Sequence, residues 1–151
     1  DDVIGTLATE AGRQGIITYM MTPDKDYGQL VSDKVFMYRP KHTGGFEVMG
    51  VDEVKAKFDI QSPAQVIDML GLMGDSSDNI PGCPGVGEKT AQKLIAEFGS
   101  IENLLEHTDQ LKGALKTKVE TNREMITFSK FLATPVCLGR YINTLSLTNC
   151  P

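Results

Sequence analysis

The spacing of apolar residues divides the chain into a region of mixed helix and strand signals and a region of helix signals alone. Apolar residues three and four positions apart predict an amphipathic helix over 2–13, and a β-rich run follows at 16–21. Two more short strands or a hairpin are expected at 35–38 and 46–49, followed by a helix near 51–58. About three strands with one or two helices form only half of an α/β sheet.

Beyond residue 60 only helix patterns remain. Ser62, Pro63 and Gln65 combine a capping box with a proline at the first helical position, so a helix through about Met73 is predicted. Further helices are predicted at 91–98, at 101–105 and within about 112–133. We therefore expect an α/β part over 1–60, an all-helical part over 61–134 and an atypical tail over 135–151.

Composition and charge narrow the class of protein. The 151 residues are 40% hydrophobic and 23% charged, as in a globular protein, and no apolar run approaches the length of a membrane span. The start of the chain lacks the positive residues of a signal peptide, so we expect a cytoplasmic protein that does not bind a membrane. Residues 1–80 have a net charge of −6 and residues 81–151 one of +1, which favours a cation site in the first part and a polyanion partner for the second.

Cysteine and histidine do not provide a site of their own. The chain has three cysteines and two histidines, none of them spaced as in a zinc site: Cys83, Cys137, Cys150, His42 and His107. We expect reduced, mostly structural thiols.

Aspartates occur instead as three short-spaced pairs, each predicted at the end of an element. The pairs are Asp1 and Asp2, Asp24 and Asp26, and Asp75 and Asp78. A single pair is also explained by helix capping or a turn. Asp24 and Asp26 would point the same way in an extended segment, and Asp75 and Asp78 would share a face in a helix or tight turn. Three pairs together predict hard oxygen ligands for Mg²⁺ or Mn²⁺.

A glycine-rich hairpin lies immediately before the helix predicted at 91–98. The N–H groups of Gly85, Val86 and Gly87 are expected to meet a phosphate oxygen there, helped by the helix dipole and by Lys89 and Lys93. Such contacts recognise the nucleic-acid backbone and not the bases. A plain interhelical turn with solvated lysines is the alternative, and the cluster of Lys112, Lys116 and Lys118 is interpreted first as a solvated face.

Four of these segments, in this order, resemble the 5′-nuclease domain of bacterial DNA polymerase I, which belongs to the flap endonuclease family. They are Asp1 to Ala8, Thr22 to Asp33, Gly74 to Gly82 and Pro84 to Ala91. The resemblance covers residues 1 to about 134. It implies a PIN-like nuclease sheet followed by a SAM-like helix-three-turn-helix subdomain.

The resemblance also implies a function. It implies structure-specific hydrolysis of DNA in replication and repair, with duplex or flap DNA as partner, two Mg²⁺ or Mn²⁺ ions, and polymerase domains farther along the parent protein. The implied metal ligands, which would act catalytically through the metal, are Asp1, Asp2, Asp24, Asp26, Asp75 and Asp78. The implied DNA-binding residues are Gly85, Val86, Gly87, Lys89, Thr90 and Lys93.

The chain departs from the family pattern at both ends. A Glu two residues before the position of Asp1 and a still earlier first-strand Asp are absent, and 136–151 does not resemble the usual continuation. We therefore expect an N-terminally truncated fragment that exposes an apolar sheet edge and either self-associates or is marginally stable. The alternative function is a non-catalytic duplex-DNA-binding module. A small-molecule Mg²⁺ phosphatase would explain Asp24 and Asp26 but not the hairpin.

Overall fold

A computed structural model describes residues 2–41 and 43–135 of the chain. The chain forms two compact units that divide after Gly50. We call the residues up to Gly50 the sheet unit and Val51–Thr134 the helical unit. Among the described residues, no helix is long and apolar enough to cross a bilayer.

The sheet unit contains one helix and a three-stranded mixed sheet. Its elements are α1 (Asp2–Arg13), β1 (Thr18–Met21), β2 (Val35–Pro40) and β3 (Phe46–Met49), with a 3₁₀ helix at Lys25–Leu30. β1 pairs in parallel with β2, and β2 pairs antiparallel with β3, so of the two expected arrangements, separate strands or a hairpin, the structure has the hairpin. Met20, Met37 and Met49 lie side by side in this register and are buried.

The opposite face of the sheet is uncharged and largely open to solvent. It contains the apolar and aromatic side chains that alternate with the buried methionines: Tyr19, Met21, Phe36, Tyr38, Phe46 and Val48. Met21 is 74% exposed and Tyr19 is 56% exposed. The rings of Tyr19 and Phe36 stack at 5.6 Å, and those of Tyr38 and Phe46 at 4.7 Å. We call these six residues the open sheet face.

The helical unit has six α-helices among the described residues. They are α2 (Val51–Phe58), α3 (Val66–Met73), α4 (Glu88–Phe98), α5 (Ile101–Glu106), α6 (Gly113–Thr121) and α7 (Arg123–Ala133). The capping box predicted at Ser62 is present, and its Gln65 also donates to the carbonyl of Gly99 at 2.8 Å. Helix α3 is central, because Val66, Met69, Leu70 and Leu72 are fully buried.

A buried ion pair connects three of these helices. Asp68 of α3 accepts a hydrogen bond from the backbone N–H of Ile101 at 3.0 Å and another from Lys130 Nζ at 2.6 Å. Lys130 also lies 2.7 Å from Glu102, which is on the surface. The carboxylate of Asp68 therefore caps the start of α5 and attaches α7 to α3.

The predicted fold class is confirmed, and the details differ at two places. The 3₁₀ helix at Lys25–Leu30 was not predicted, and the single helical pattern of 112–133 is broken at Asn122. The division of the chain near residue 60 stays a prediction; by packing, α2 belongs to the helical unit. Gln92 Nε2 of α4 donates to the carbonyl of Phe58 at 3.2 Å, which holds the end of α2 there.

Candidate metal ligands and nucleic-acid interface

Asp24 and Asp26 lie at the end of β1, where the chain turns into the 3₁₀ helix. Asp24 is its N-cap and accepts a hydrogen bond from the N–H of Asp26 at 3.0 Å. This bond draws Asp26 into the 3₁₀ helix, so the extended segment expected for the pair was wrong. A carboxylate oxygen of Asp24 and one of Asp26 still lie within 4.8 Å of each other. Two hard oxygens so close together fit a divalent cation.

A buried tyrosine is affected by the negative charge around this pair. Burial raises the pKa of Tyr27, and the nearby charges of Asp24 and Asp2 raise it further. Asp2 lies in the first turn of α1, as expected. The sheet unit thus brings Asp2, Asp24 and Asp26 to one region. Asp1, which belongs to the same predicted set, lies outside the described residues.

Asp75 and Asp78 lie in a tight turn between α3 and the hairpin, which we call the acidic turn (residues 74–81). The N–H of Asp75 donates to the carbonyl of Ile80 at 2.9 Å, and the N–H of Ile80 donates back at 2.8 Å. Asp75 is buried and accepts a further bond from the N–H of Ser77 at 2.8 Å, whereas Asp78 is exposed. Of the two arrangements expected for this pair, the structure therefore has the turn.

Two glycines close the acidic turn. Gly74 and Gly82 have φ values of +73° and +65°, which residues with a side chain rarely adopt. A Cβ atom on Gly74 would lie 2.6 Å from the carbonyl oxygen of Ile80, and one on Gly82 would lie 2.7 Å from the Cα atom of Gly74. The backbone segments that enter and leave the turn are therefore in direct contact.

The hairpin, residues 82–87, is fastened to the helices at its base. The N–H of Gly82 donates to the buried hydroxyl of Ser129 at 2.9 Å, and the N–H of Cys83 donates to the carbonyl of Leu72 at 2.7 Å. Neither contact was predicted. Ser129 follows Gly82 by 47 positions, so no local pattern could have indicated it.

The tip of the hairpin offers fewer N–H groups than the sequence suggested. Val86 is buried and its N–H donates to the carbonyl of Cys83 at 3.0 Å, so Val86 is corrected from a phosphate donor to a structural residue. Gly85 and Gly87 are exposed, and their N–H groups have no acceptor among the described residues. These two N–H groups are therefore available to bind an anion.

Helix α4 begins directly at the hairpin and turns its basic face to solvent. Gly87 is its N-cap, and no side chain caps the helix there. Lys89 and Lys93 are exposed while Ala91 and Leu94 are buried, and Thr90 is half-buried. A helix N-terminus with free N–H groups attracts phosphate. The arrangement suits a nucleic-acid backbone.

Two family models match consecutive parts of the chain. The one described as "5′-3′ exonuclease, N-terminal resolvase-like domain" matches residues 1–59, and the one described as "5′-3′ exonuclease, C-terminal SAM fold" matches residues 61–141. The resemblance inferred from the four ordered segments is confirmed.

Individual relatives agree with these matches. DNA polymerase I of Bacillus subtilis is 48% identical over 136 residues, which are 89% of this chain and 15% of that protein. The thermostable DNA polymerase I of Thermus thermophilus is 40% identical over 133 residues, 88% of this chain and 15% of that protein. The chain therefore spans about 15% of the length of these curated relatives.

Solved structures show the same fold. Bacteriophage T5 5′-exonuclease with divalent metal ions (zinc) bound has a TM-score of 0.78 and 21% identity, over 93% of this chain and 50% of that one. A T5 flap endonuclease complex with DNA and metal ions has a TM-score of 0.75 and 23% identity, over 93% of this chain and 50% of that one.

Proposed function

This chain belongs to the 5′-3′ exonuclease family, and we propose that it is the metal-binding and DNA-gripping part of a structure-specific 5′-nuclease of the DNA polymerase I type. Residues 1–60 would supply the α/β metal-binding core and residues 61–134 the DNA-binding part, which would also contribute the metal ligands Asp75 and Asp78. The observation that carries the proposal is that the two exonuclease family models together match nearly the whole chain. The activity would serve replication and repair in the bacterial cytoplasm, with polymerase domains farther along the parent protein.

The metal ligands in this proposal are the six aspartates Asp1, Asp2, Asp24, Asp26, Asp75 and Asp78. Support comes from the close oxygens of Asp24 and Asp26 and from the charges that Asp24 and Asp2 exert on Tyr27. Carboxylates alone favour Mg²⁺ or Mn²⁺ over softer ions, and six of them provide for two ions. When bound, such ions lower the pKa of a water nucleophile and neutralise charge on the phosphate.

The DNA contacts in this proposal come from the hairpin and α4. The N–H groups of Gly85 and Gly87, with Lys89, Thr90 and Lys93, would hold phosphates of a duplex or flap substrate. Contacts with phosphates carry no sequence information, so binding would depend on DNA structure and on salt more than on sequence.

The test is cleavage of a 5′-labelled flap duplex with Mg²⁺ or Mn²⁺. Asp26→Asn and Asp75→Asn should each lower the cleavage rate by at least about 100-fold, because each removes the charge of a proposed metal ligand. Asp109→Asn, an exposed carboxylate of the helical unit, is the matched control and should cleave normally. Equal cleavage by all three variants would contradict the metal assignment.

Binding without cleavage is the other informative result. The unaltered chain could bind duplex DNA with an affinity that falls with salt and yet cleave nothing with either metal. It would then be the non-catalytic binding module, and the proposed activity would be wrong. If it neither binds nor cleaves, the DNA-binding assignment is wrong as well.

We also propose that copies of the chain associate through the open sheet face. This face is uncharged along all three strands, so two copies can bring it together without apposing like charges, although each chain has a net charge of −5. β1 is also at the edge of the sheet. Apolar patches of this kind commonly form interfaces.

Sedimentation velocity tests the association. Tyr19→Lys with Val48→Lys should convert the associated species to monomer, because lysines would then face each other. Phe131→Lys, at an exposed position of α7, is the control and should leave the association unchanged. Salt should strengthen this association, whereas it weakens DNA binding. If the unaltered chain were monomeric at high concentration, the proposal would be contradicted.

A further inference from the structure

Lys118 of α6 reaches the tip of the hairpin. Its ammonium Nζ lies 3.3 Å from the carbonyl oxygen of Gly85. A Cβ atom on Gly85 would lie 2.6 Å from the same Nζ, so the ammonium lies directly against the backbone of this glycine. The N–H of Gly85 is one of the two that remain for an anion. Lys118 therefore brings a positive charge to the hairpin from a second helix.

The backbone of Lys118 is fixed where this side chain begins. Its carbonyl accepts a hydrogen bond from Asn122 Nδ2 at 2.8 Å and a weak one from the buried thiol of Cys83 at 3.8 Å. Burial raises the pKa of that thiol, and the charge of Lys118 acts in the opposite direction, so Cys83 stays a neutral thiol at pH 7. The hairpin and α6 are thus in contact at two levels, through Cys83 and through Gly85.

The charge of Lys118 is also not balanced by an acidic side chain. Lys116, one half-turn away on α6, pairs with Glu120 at 3.9 Å, and Lys130 pairs with Asp68 and Glu102. In the described part of the chain, no carboxylate forms an ion pair with Lys118. An ammonium has three donors, and the carbonyl of Gly85 uses one of them. The others, with the full charge, remain available at the hairpin.

We propose that Lys118 is a further phosphate-contacting residue, acting with the N–H of Gly85 on one phosphate of the bound DNA. The inference rests on the proposed DNA binding of the hairpin and adds a cation that does not belong to α4. The sequence alone favoured a solvated lysine here, because nothing near residue 118 indicates a contact with residue 85.

The experiment is a titration of a fluorescent duplex DNA at several salt concentrations with Lys118→Met and, as matched control, Lys116→Met. Loss of one phosphate contact should reduce the slope of log affinity against log salt by about 0.9 and weaken binding several-fold at low salt. Lys116→Met should keep the unaltered slope, because Lys116 is paired on the same helix. Lys118→Arg should restore the slope, since it keeps the charge.

The outcomes separate this inference from the proposed function. Lys118→Met with an unchanged slope overturns the inference, even if affinity falls, because Lys118 would then only hold the hairpin in place. A thermal melt followed by circular dichroism shows whether the variant is folded, and Lys118→Gln, which also removes the charge, repeats the test if Lys118→Met is not. If the unaltered chain shows no salt-dependent affinity, the proposed DNA binding fails and this inference fails with it.

Discussion

The central helix of the helical unit turns almost no side chain to solvent, whereas the sheet of the other unit leaves a whole face open. Ten of the twelve largest fully buried side chains belong to the helical unit, and only Val35 and Met37 belong to the sheet unit. The exposed large apolar residues of the helical unit all lie on α7, while those of the sheet unit extend over α1, β1 and β3 and the loop before β1. The two units therefore stabilise their candidate sites in different ways.

In the helical unit, the contacts that stabilise the fold also shape the site. The acidic turn begins where α3 ends, and the hairpin is held by Ser129 of α7. In the sheet unit, a local cap joins Asp24 to the N–H of Asp26. Mutations in the helical unit should accordingly change stability and site together, and mutations on the open sheet face should change neither. The predictions below test this contrast.

The largest effect is expected at Gly82. Gly82→Ala requires a left-handed conformation and pushes a Cβ atom into the backbone of Gly74, so the free energy of unfolding should fall by at least about 3 kcal/mol. Gly99→Ala is the control, because Gly99 has a φ of +80° but open space around it. It should cost only about 1–2 kcal/mol. Equal losses in urea unfolding would mean that the contact between the two ends of the acidic turn does not matter.

Asp68→Asn should have the next largest effect. The amide can still accept from the N–H of Ile101, but Lys130 loses its buried partner, and we expect a loss of about 2–3 kcal/mol. Glu102→Gln removes the other partner of Lys130, whose side chain is 64% exposed, and should cost less than about 1 kcal/mol. Urea unfolding of both variants checks the order, and the reverse order would contradict it.

The same cluster predicts how stability depends on pH. Burial works to raise the pKa of Glu102, but hydrogen bonding to Lys130 holds it below 4.5, so its contribution is present above pH 4.5 and is lost as the pH falls through the folded value. Burial works to lower the pKa of Lys130, but Asp68 and Glu102 raise it above 10.5, so its contribution is present below pH 10.5 and is lost above it. Unfolding midpoints of Glu102→Gln should show a weaker acid dependence than those of the unaltered chain. An identical acid dependence would exclude this contribution.

Ser129→Ala should have an intermediate effect. It leaves the buried N–H of Gly82 without its acceptor, which should cost about 1–2 kcal/mol. The same change should weaken DNA binding, because the base of the hairpin is released. Thr127→Ala on the same helix is the control, because the exposed Thr127 hydroxyl donates to the carbonyl of Arg123 within α7, and this change should cost about 0.5 kcal/mol or less. The free energy of unfolding and the DNA affinity are measured for both variants. If Ser129→Ala lost no more of either than Thr127→Ala, the bond from Gly82 to Ser129 would be dispensable.

The parts of the fold that depend on local signals were predicted from sequence. Helix α1 follows from its apolar spacing, and the capping box at Ser62 gave the start of the helix that ends at Met73. The break between α6 and α7 was missed because apolar spacing continues across it. There Asn122 turns its side chain back to the carbonyl of Lys118 and ends α6.

The site was predictable as a set of residue types but not as a geometry. Carboxylates and glycines in short motifs are visible in the sequence. Whether an N–H is free depends on the partner that the fold supplies, as with Val86 and Cys83. The contacts of Gly85 with Lys118 and of Gly82 with Ser129 join residues 33 and 47 positions apart, and no periodicity encodes them.

The smallest effect is expected on the open sheet face. Met21→Ala removes a side chain that is 74% exposed, so the free energy of unfolding should change by about 0.5 kcal/mol or less. Met37→Ala, on the buried face of the neighbouring strand, removes one that is 1% exposed and should cost about 2–5 kcal/mol. Both changes shorten the same residue type in one sheet, so their difference isolates burial. The comparison is made by urea unfolding at a concentration where the chain is monomeric. A large loss for Met21→Ala would mean that the open face is covered in solution, and the contrast between the two units would then no longer hold.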